Sequence, residues 1–330
     1  MMDDSSVALA LGGGGARGYA HIGVLAELEA RGYRVTRVAG TSMGALVGAL
    51  YCSGHLDEFT EWVTSFRTQV DVLRYLGPNF SGPSWIRIAR VLERVSEIIG
   101  VERIEDLPVR FTAVATDLWA RKEVWFEHGP VTAAIRASIA VPGVFPPVVL
   151  NGRLLVDGGV LNQVPVSVLA GAGAQSTVAV SLDGASADRG RGQTPVQTSS
   201  DEQPDEQWIA RLAHSMGQLF DTEAVRAFTA RLRTRPKQAS LDPAEAVREV
   251  VEELPIGLRT TDVMHMALET MQTVMARFQF AAFPTDVTVV VPRDSLGMMD
   301  FHRATEQIEL GRRLAAEAFD EAGLGNRAAA

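Results

Sequence analysis

Ser42 stands in Gly40-Thr41-Ser42-Met43-Gly44, a G-x-S-x-G string, and Asp157 stands in Asp157-Gly158-Gly159 after the apolar run Leu154-Leu155-Val156. A serine hydroxyl attacks an ester only with a base beside it and donors ready for the oxyanion. A carboxylate flanked by leucine and valine is partly desolvated, which raises its proton affinity and suits it to the base role. Donors could come from a third stretch, Gly12-Gly13-Gly14-Gly15-Ala16-Arg17-Gly18. Successive glycines expose backbone N–H groups, and a following helix adds the positive end of its dipole.

These residues need particular elements under them. Val35–Ala39 reads as a short buried strand and Ala45–Tyr51 as a helix of small and apolar residues. That is the strand, sharp turn and helix of a nucleophile elbow, in which glycine on both sides lets strand and helix close over the serine. The first glycine turn likewise follows a strand, Val7–Leu11, and leads to a helix running to about Arg31.

That first turn also admits a second reading. Gly13, Gly15 and Gly18 satisfy G-x-G-x-x-G, the dinucleotide fingerprint of an oxidoreductase, but the fingerprint wants an acid about 20 residues on. None occurs from Arg31 through Ser42. Asp157-Gly158-Gly159 could be no more than a turn, a role that suits the tripeptide well. None of the six histidines, at 21, 55, 128, 214, 265 and 302, lies in a turn-after-strand context suited to a catalytic histidine, so a Ser-Asp dyad is favoured over a triad.

The chain has 330 residues and a formal net charge of −9, which disfavours nucleic acid and leaves any membrane contact to local or apolar features. The N-terminus lacks the basic start of a signal peptide, and no run approaches 18 apolar residues. A single cysteine, Cys52, excludes an internal disulfide framework and reads as a small buried apolar residue. These features predict a cytoplasmic protein, peripheral at most to the inner membrane face.

Further along, Leu56–Phe66 is helix-like and Val70–Pro83 is a mixed segment with Gly-Pro breaks. Ser84–Ile99 carries Trp85, Ile88, Val91, Leu92, Val95 and Ile98 on one stripe, a core pattern that could also line an acyl pocket. Val109–Asp117 and Lys122–Glu127 read as neighbouring strands, Pro130–Ala140 as a helix, and Val148–Leu150 with Leu154–Val156 as a hairpin across Asn151-Gly152. Ser176–Leu182 is another strand. Residues 183–207 have almost no large apolar side chain and read as a flexible polar insertion. Helices follow at 208–233, 242–253 and 260–281, the last carrying Met264, Met266, Met271 and Met275, residues that fill cores or suit a pocket for flexible chains. A strand at 286–291 and a helix at 301–322 close the chain. Alternating strands and helices predict one α/β domain, a three-layer sandwich with a largely parallel central sheet: a catalytic core over 6–182, the insertion, and a 208–330 part completing the same domain.

Gly13-Gly14-Gly15-Ala16-Arg17-Gly18, Gly40-Thr41-Ser42-Met43-Gly44, the segment from Ala137-Ser138 to Phe145-Pro146-Pro147, and Asp157-Gly158-Gly159 resemble, in that order, the motifs of the patatin-like phospholipase family. Asn162 and Pro165 also match, and residues 286–301 are similar to the C-terminal part of bacterial members. The resemblance covers roughly residues 6–182. It implies a patatin-like fold and a lipid acyl hydrolase with Ser42 as nucleophile, Asp157 as base and an oxyanion hole from Gly13, Gly14, Gly15 and Arg17. Gly40 and Gly44 shape the elbow, and Gly158 and Gly159 follow the base. No metal or cofactor is implied; the partners are a lipid or small ester and a transient membrane surface. Arg17 would fix the glycine loop or meet a lipid phosphate. With aspartate as base, a histidine-like acidic limb in the pH profile is not expected. A regulatory scaffold without turnover is the alternative on the same fold.

Overall fold

The computed structural model describes residues 5–76, 84–184, 260–325 and 327. Eight strands occur among them: β1 (Ser6–Leu11), β2 (Arg34–Thr41), β3 (Arg110–Asp117), β4 (Lys122–Phe126), β5 (Val148–Leu150), β6 (Arg153–Asp157), β7 (Ser176–Gly184) and β8 (Val287–Pro292). The described helices are α1 (Ala20–Ala30), α2 (Met43–Cys52), α3 (Leu56–Thr64), α4 (Gln69–Leu76), α5 (Ser84–Ile99), α6 (Val131–Ser138), α7 (Thr260–Ala282) and α8 (Ala304–Glu321).

The strands form one mixed sheet. β3, β2, β1, β7 and β8 lie side by side and parallel, while β4, β5 and β6 add antiparallel pairings around β3. β1 is buried at all six positions, as expected of a central parallel strand covered on both faces. Its alternate residues face different layers. Val7, Leu9 and Leu11 join the large cluster under α1, α2, α3 and α8, whereas Ala8 and Ala10 face Val164, Val166 and Leu169. The small alanines let the 162–170 segment run close over the sheet, which brings Asn162 and Gln163 to the site. On the other face α1 and α8 approach through Gly23 and Gly311, where a Cβ would strike the partner helix's backbone.

The fold class read from the sequence is the one observed, with three differences in detail. α4 occupies part of the segment read as broken, because Thr68 and Asp71 form a reciprocal cap: Thr68 N–H donates to the Asp71 carboxylate at 2.8 Å and Asp71 N–H to the Thr68 hydroxyl at 3.3 Å. Asp183 and Gly184, read as the start of a polar insertion, extend β7, and Asp183 pairs with Arg293 at 2.5 Å. The methionines of α7 do not fill a core; Met264, Met266, Met271 and Met275 are all exposed. On α5, Val95 and Ile98 are buried in the core, as its stripe predicts. The described residues up to 184 and from 263 on belong to the unit formed by Met1–Gly190 and Val263–Ala330. From residue 185 the insertion, and the helices expected at 208–233 and 242–253, lie outside the described residues.

Candidate active site

β2 ends at Thr41, and α2 starts at Met43, so Ser42 alone makes the turn. Its backbone stands at φ 56°, ψ −121°, a left-handed conformation that costs a non-glycine residue about 1–3 kcal/mol. The surroundings hold it there. The Ser42 N–H donates to the Ser138 hydroxyl at 2.9 Å, and that hydroxyl donates to the Val114 carbonyl at 2.6 Å. Thr41 Oγ1 donates to the Asn162 carbonyl at 2.9 Å. Gly40 and Gly44 leave the room: a Cβ on Gly40 would fall on the Gly44 backbone, and one on Gly44 on the Leu11 carbonyl.

The sheet places Asp157 beside this turn. β4 occupies one edge of β3, opposite both Val114 and Ala115. On the other edge Val114 faces Thr41 of parallel β2, and the next residue, Ala115, faces Asp157 of antiparallel β6. Two strands running in opposite directions therefore finish end to end along β3. Asp157 is buried, and its Oδ1 accepts from Gly159 N–H at 2.7 Å. Gly158 fits because a Cβ there would meet the Val114 carbonyl.

Burial pushes the Asp157 carboxyl up from 3.8 to about 6, against the opposing pull of the Ser42 hydroxyl and the Gly159 N–H on the ionised form. Oδ2 is buried without a partner in full hydrogen-bond geometry, so the Ser42 interaction is a loose one. The raised value corrects one expectation. An aspartate titrating at about 6 produces its acidic limb where a histidine would, so the position of the limb does not distinguish the two.

The first glycine loop lies against Ser42; a Cβ on Gly13 would be 3.1 Å from that of Ser42. Gly12 N–H donates to Val180 at 3.0 Å, Gly13 N–H to the Gln163 carbonyl at 3.0 Å and Ala16 N–H to Met298 at 2.9 Å. Gln163 Nε2 donates back to Gly13 O at 2.8 Å. Among the described residues the Gly14 and Gly15 N–H groups have no such acceptor, so they, and not Gly13, are the loop's free donors. Gly15 also takes φ 59°, hard against Met298. Arg17 braces the loop: Nε donates to Gly14 O at 3.2 Å and an NH group to Arg293 O at 3.3 Å. Burial lowers its pKa, with Glu269 and Asp183 opposing. Beneath it His21 donates from Nε2 to Gly12 O at 2.8 Å, and burial holds its pKa down at about 4, so it is neutral and fixed in one tautomer.

The structure brings Ser42, Asp157, Gly14 and Gly15 close to one another, and two of their partners were not singled out in the sequence. Ser138 was visible only as part of a motif, and Gln163 carried no local signal; they act through contacts 96 and 150 residues away in the chain. A dinucleotide loop would need its amides open and a helix starting at the last glycine. Here two of those amides are taken, and Gly15–Tyr19 forms a largely buried 3-10 turn before α1 begins.

The description of the Patatin-like phospholipase family matches residues 9–170. An uncharacterized NTE family protein of Mycobacterium tuberculosis is 41% identical over 336 residues, spanning 95% of this chain and 91% of that protein. Lysophospholipase NTE1 of Mycosarcoma maydis is 37% identical over 186 residues, 54% of this chain but 10% of that protein. Among solved structures, VipD from Legionella pneumophila aligns with a TM-score of 0.41 at 13% identity, over 96% of this chain and 67% of that one.

Proposed function

The chain belongs to the patatin-like phospholipase family, and on that premise we propose that it is a serine lipid acyl hydrolase of the phospholipase or lysophospholipase type. The observation that carries the reading is the meeting of β2 and β6 on one edge of β3, which sets the strained Ser42 beside a buried carboxylate. Above pH 6 Asp157 is ionised and accepts the Ser42 proton as Oγ attacks the ester carbonyl. Gly14 and Gly15 N–H groups hold the resulting oxyanion, each such donor being worth about 3 kcal/mol. Collapse breaks the ester bond, and the leaving alkoxide takes the proton from Asp157. Water then attacks acyl-Ser42, giving its proton to Asp157, and the fatty acid leaves as the proton returns to Oγ. Lysophospholipids enter this reading through the lysophospholipase NTE1 relatives, which match about half of this chain.

Labelling with a fluorophosphonate, read by intact-protein mass spectrometry, tests it. One adduct is expected on Ser42, absent in Ser42→Ala, about a hundredfold slower to form in Asp157→Asn, and faster as pH rises through about 6. No adduct on the wild type, or an acidic limb that moves with a histidine substitution, would sink the dyad.

A further inference from the structure

The β3–β4 turn carries Leu118-Trp119-Ala120-Arg121-Lys122, and both Leu118 and Trp119 are exposed, the indole to 64%. The turn is built to hold them there. Buried Asp117 accepts from Trp119 N–H at 3.0 Å and Ala120 N–H at 3.1 Å through Oδ1, and Arg121 turns the chain at φ 52°. Leu118 N–H donates to Leu154 O at 2.9 Å, which ties this tip to the β5–β6 turn with exposed Val149 and Arg153.

Charge separates this surface from the rest of the chain. Arg121, Lys122 and Arg153 are exposed and form no ion pair among the described residues. The acids within 117–123 and 148–154 are Asp117, buried and bonded to the turn's own amides, and Glu123, which accepts from Trp125 Nε1 and Asn162 Nδ2. A chain of net charge −9 thus carries, on two tips joined by the Leu118–Leu154 bond, three cations without an ion pair among the described residues. β2 and β3 are parallel, so the tip projects from the sheet end at which Ser42 opens, about 13 Å along β3 from the Ala115–Asp157 pair.

We propose that these two tips form the docking surface by which the protein settles on an anionic phospholipid bilayer, with the Ser42 end of the sheet toward the lipid. An exposed indole on tips that carry flexible cations is the composition of an interfacial anchor, and because the net charge of −9 is repelled by anionic lipid at long range, the attraction must be local to these tips. No described helix is long and apolar enough to cross a membrane. The inference rests on the hydrolase reading for its purpose, and its test does not depend on turnover.

Sedimentation with vesicles of phosphatidylcholine, with or without about 30% phosphatidylglycerol, is measured on the Ser42→Ala chain, which has no nucleophile. Binding should be at least tenfold tighter to the anionic vesicles and weaken with salt. Trp119→Ala should lower it about tenfold, and joint Arg121→Gln, Lys122→Gln and Arg153→Gln about a hundredfold, with melting temperatures unchanged. Equal binding by the triple variant, or no binding to either vesicle, would overturn the proposal; the latter would leave the tips to an acidic protein partner. Anionic-selective binding by Ser42→Ala, alongside a wild type that takes no fluorophosphonate, would support the surface while removing the hydrolase.

Discussion

The glycine turns after β1 and β2 share a pattern of strand, glycines and helix, yet they use glycine in opposite ways. At the elbow, Gly40 and Gly44 are there for space, and the unfavourable conformation falls on Ser42 at φ 56°. In the first loop Gly15 itself takes the positive φ, and the gain is a pair of amides with no acceptor among the described residues. One turn holds a side chain in a strained pose; the other leaves backbone polar groups unsatisfied. Each arrangement is unfavourable alone, and they are neighbours because β1 and β2 are.

The largest break in that comparison is Gly44→Ala. The new Cβ would meet the Leu11 carbonyl, a backbone atom in the central strand that cannot retreat without disturbing the sheet. A loss of about 3 kcal/mol or more is expected, read as a fall in melting temperature or failure to fold. Normal melting would mean that elbow glycines are not there for space.

Gly15→Ala should separate the turns. A Cβ would sit 2.5 Å from Met298 O and demand φ 59° of alanine, so the loop must shift its amides. About a hundredfold or greater loss in kcat is expected, with KM little changed. If melting falls as far as in Gly44→Ala, the contrast between a spatial and an electrostatic glycine disappears.

The turns also differ in how they respond to pH. His21 under the first loop is held neutral, with its pKa lowered from 6.5 to about 4, so its contribution to stability is lost as pH falls through that window. Asp157 beside the second is raised from 3.8 to about 6, so its favourable contribution is full below 3.8 and lost as pH rises through 6. Asp157→Asn should therefore be more stable than wild type at pH 8, by about 2–3 kcal/mol at most, with the gain gone near pH 4. The variant should keep the acid-side loss that belongs to His21. A gain independent of pH would remove burial of the charge as its cause.

Both turns could be read from sequence because their signals are local. A strand, a glycine string and a run of small residues follow one another directly between Val35 and Tyr51, and Asp157-Gly158-Gly159 ends an apolar arm. The alternating apolar runs gave the sheet for the same reason. What joins the pieces was not legible. That β6 finishes against the end of β2 is a matter of register on a third strand, and nothing in either segment states it. Gln163 takes the Gly13 amide through its backbone carbonyl, where residue type leaves no mark, and its side-chain amide returns a bond to Gly13 O that no local pattern announces. The methionines of α7 mislead because helical spacing cannot say whether a face has a partner.

Ser138 is where the elbow can be loosened most gently. It is wholly buried at the end of α6, and its single hydroxyl accepts from Ser42 N–H while donating to Val114 O. Ser138→Ala removes both bonds and leaves a buried donor and acceptor, at a cost of about 1–3 kcal/mol. That is comparable to the strain at Ser42, so the turn should relax and fluorophosphonate labelling slow by about tenfold, with the fold retained. The first loop shares no bond with Ser138, so its amides should still slow or speed turnover through Gly15 by the same factor in either background. Additive effects of Ser138→Ala and Gly15→Ala would show that the two turns support one reaction by independent means; strong coupling would show that the hydroxyl's pin reaches the Gly14 and Gly15 amides as well.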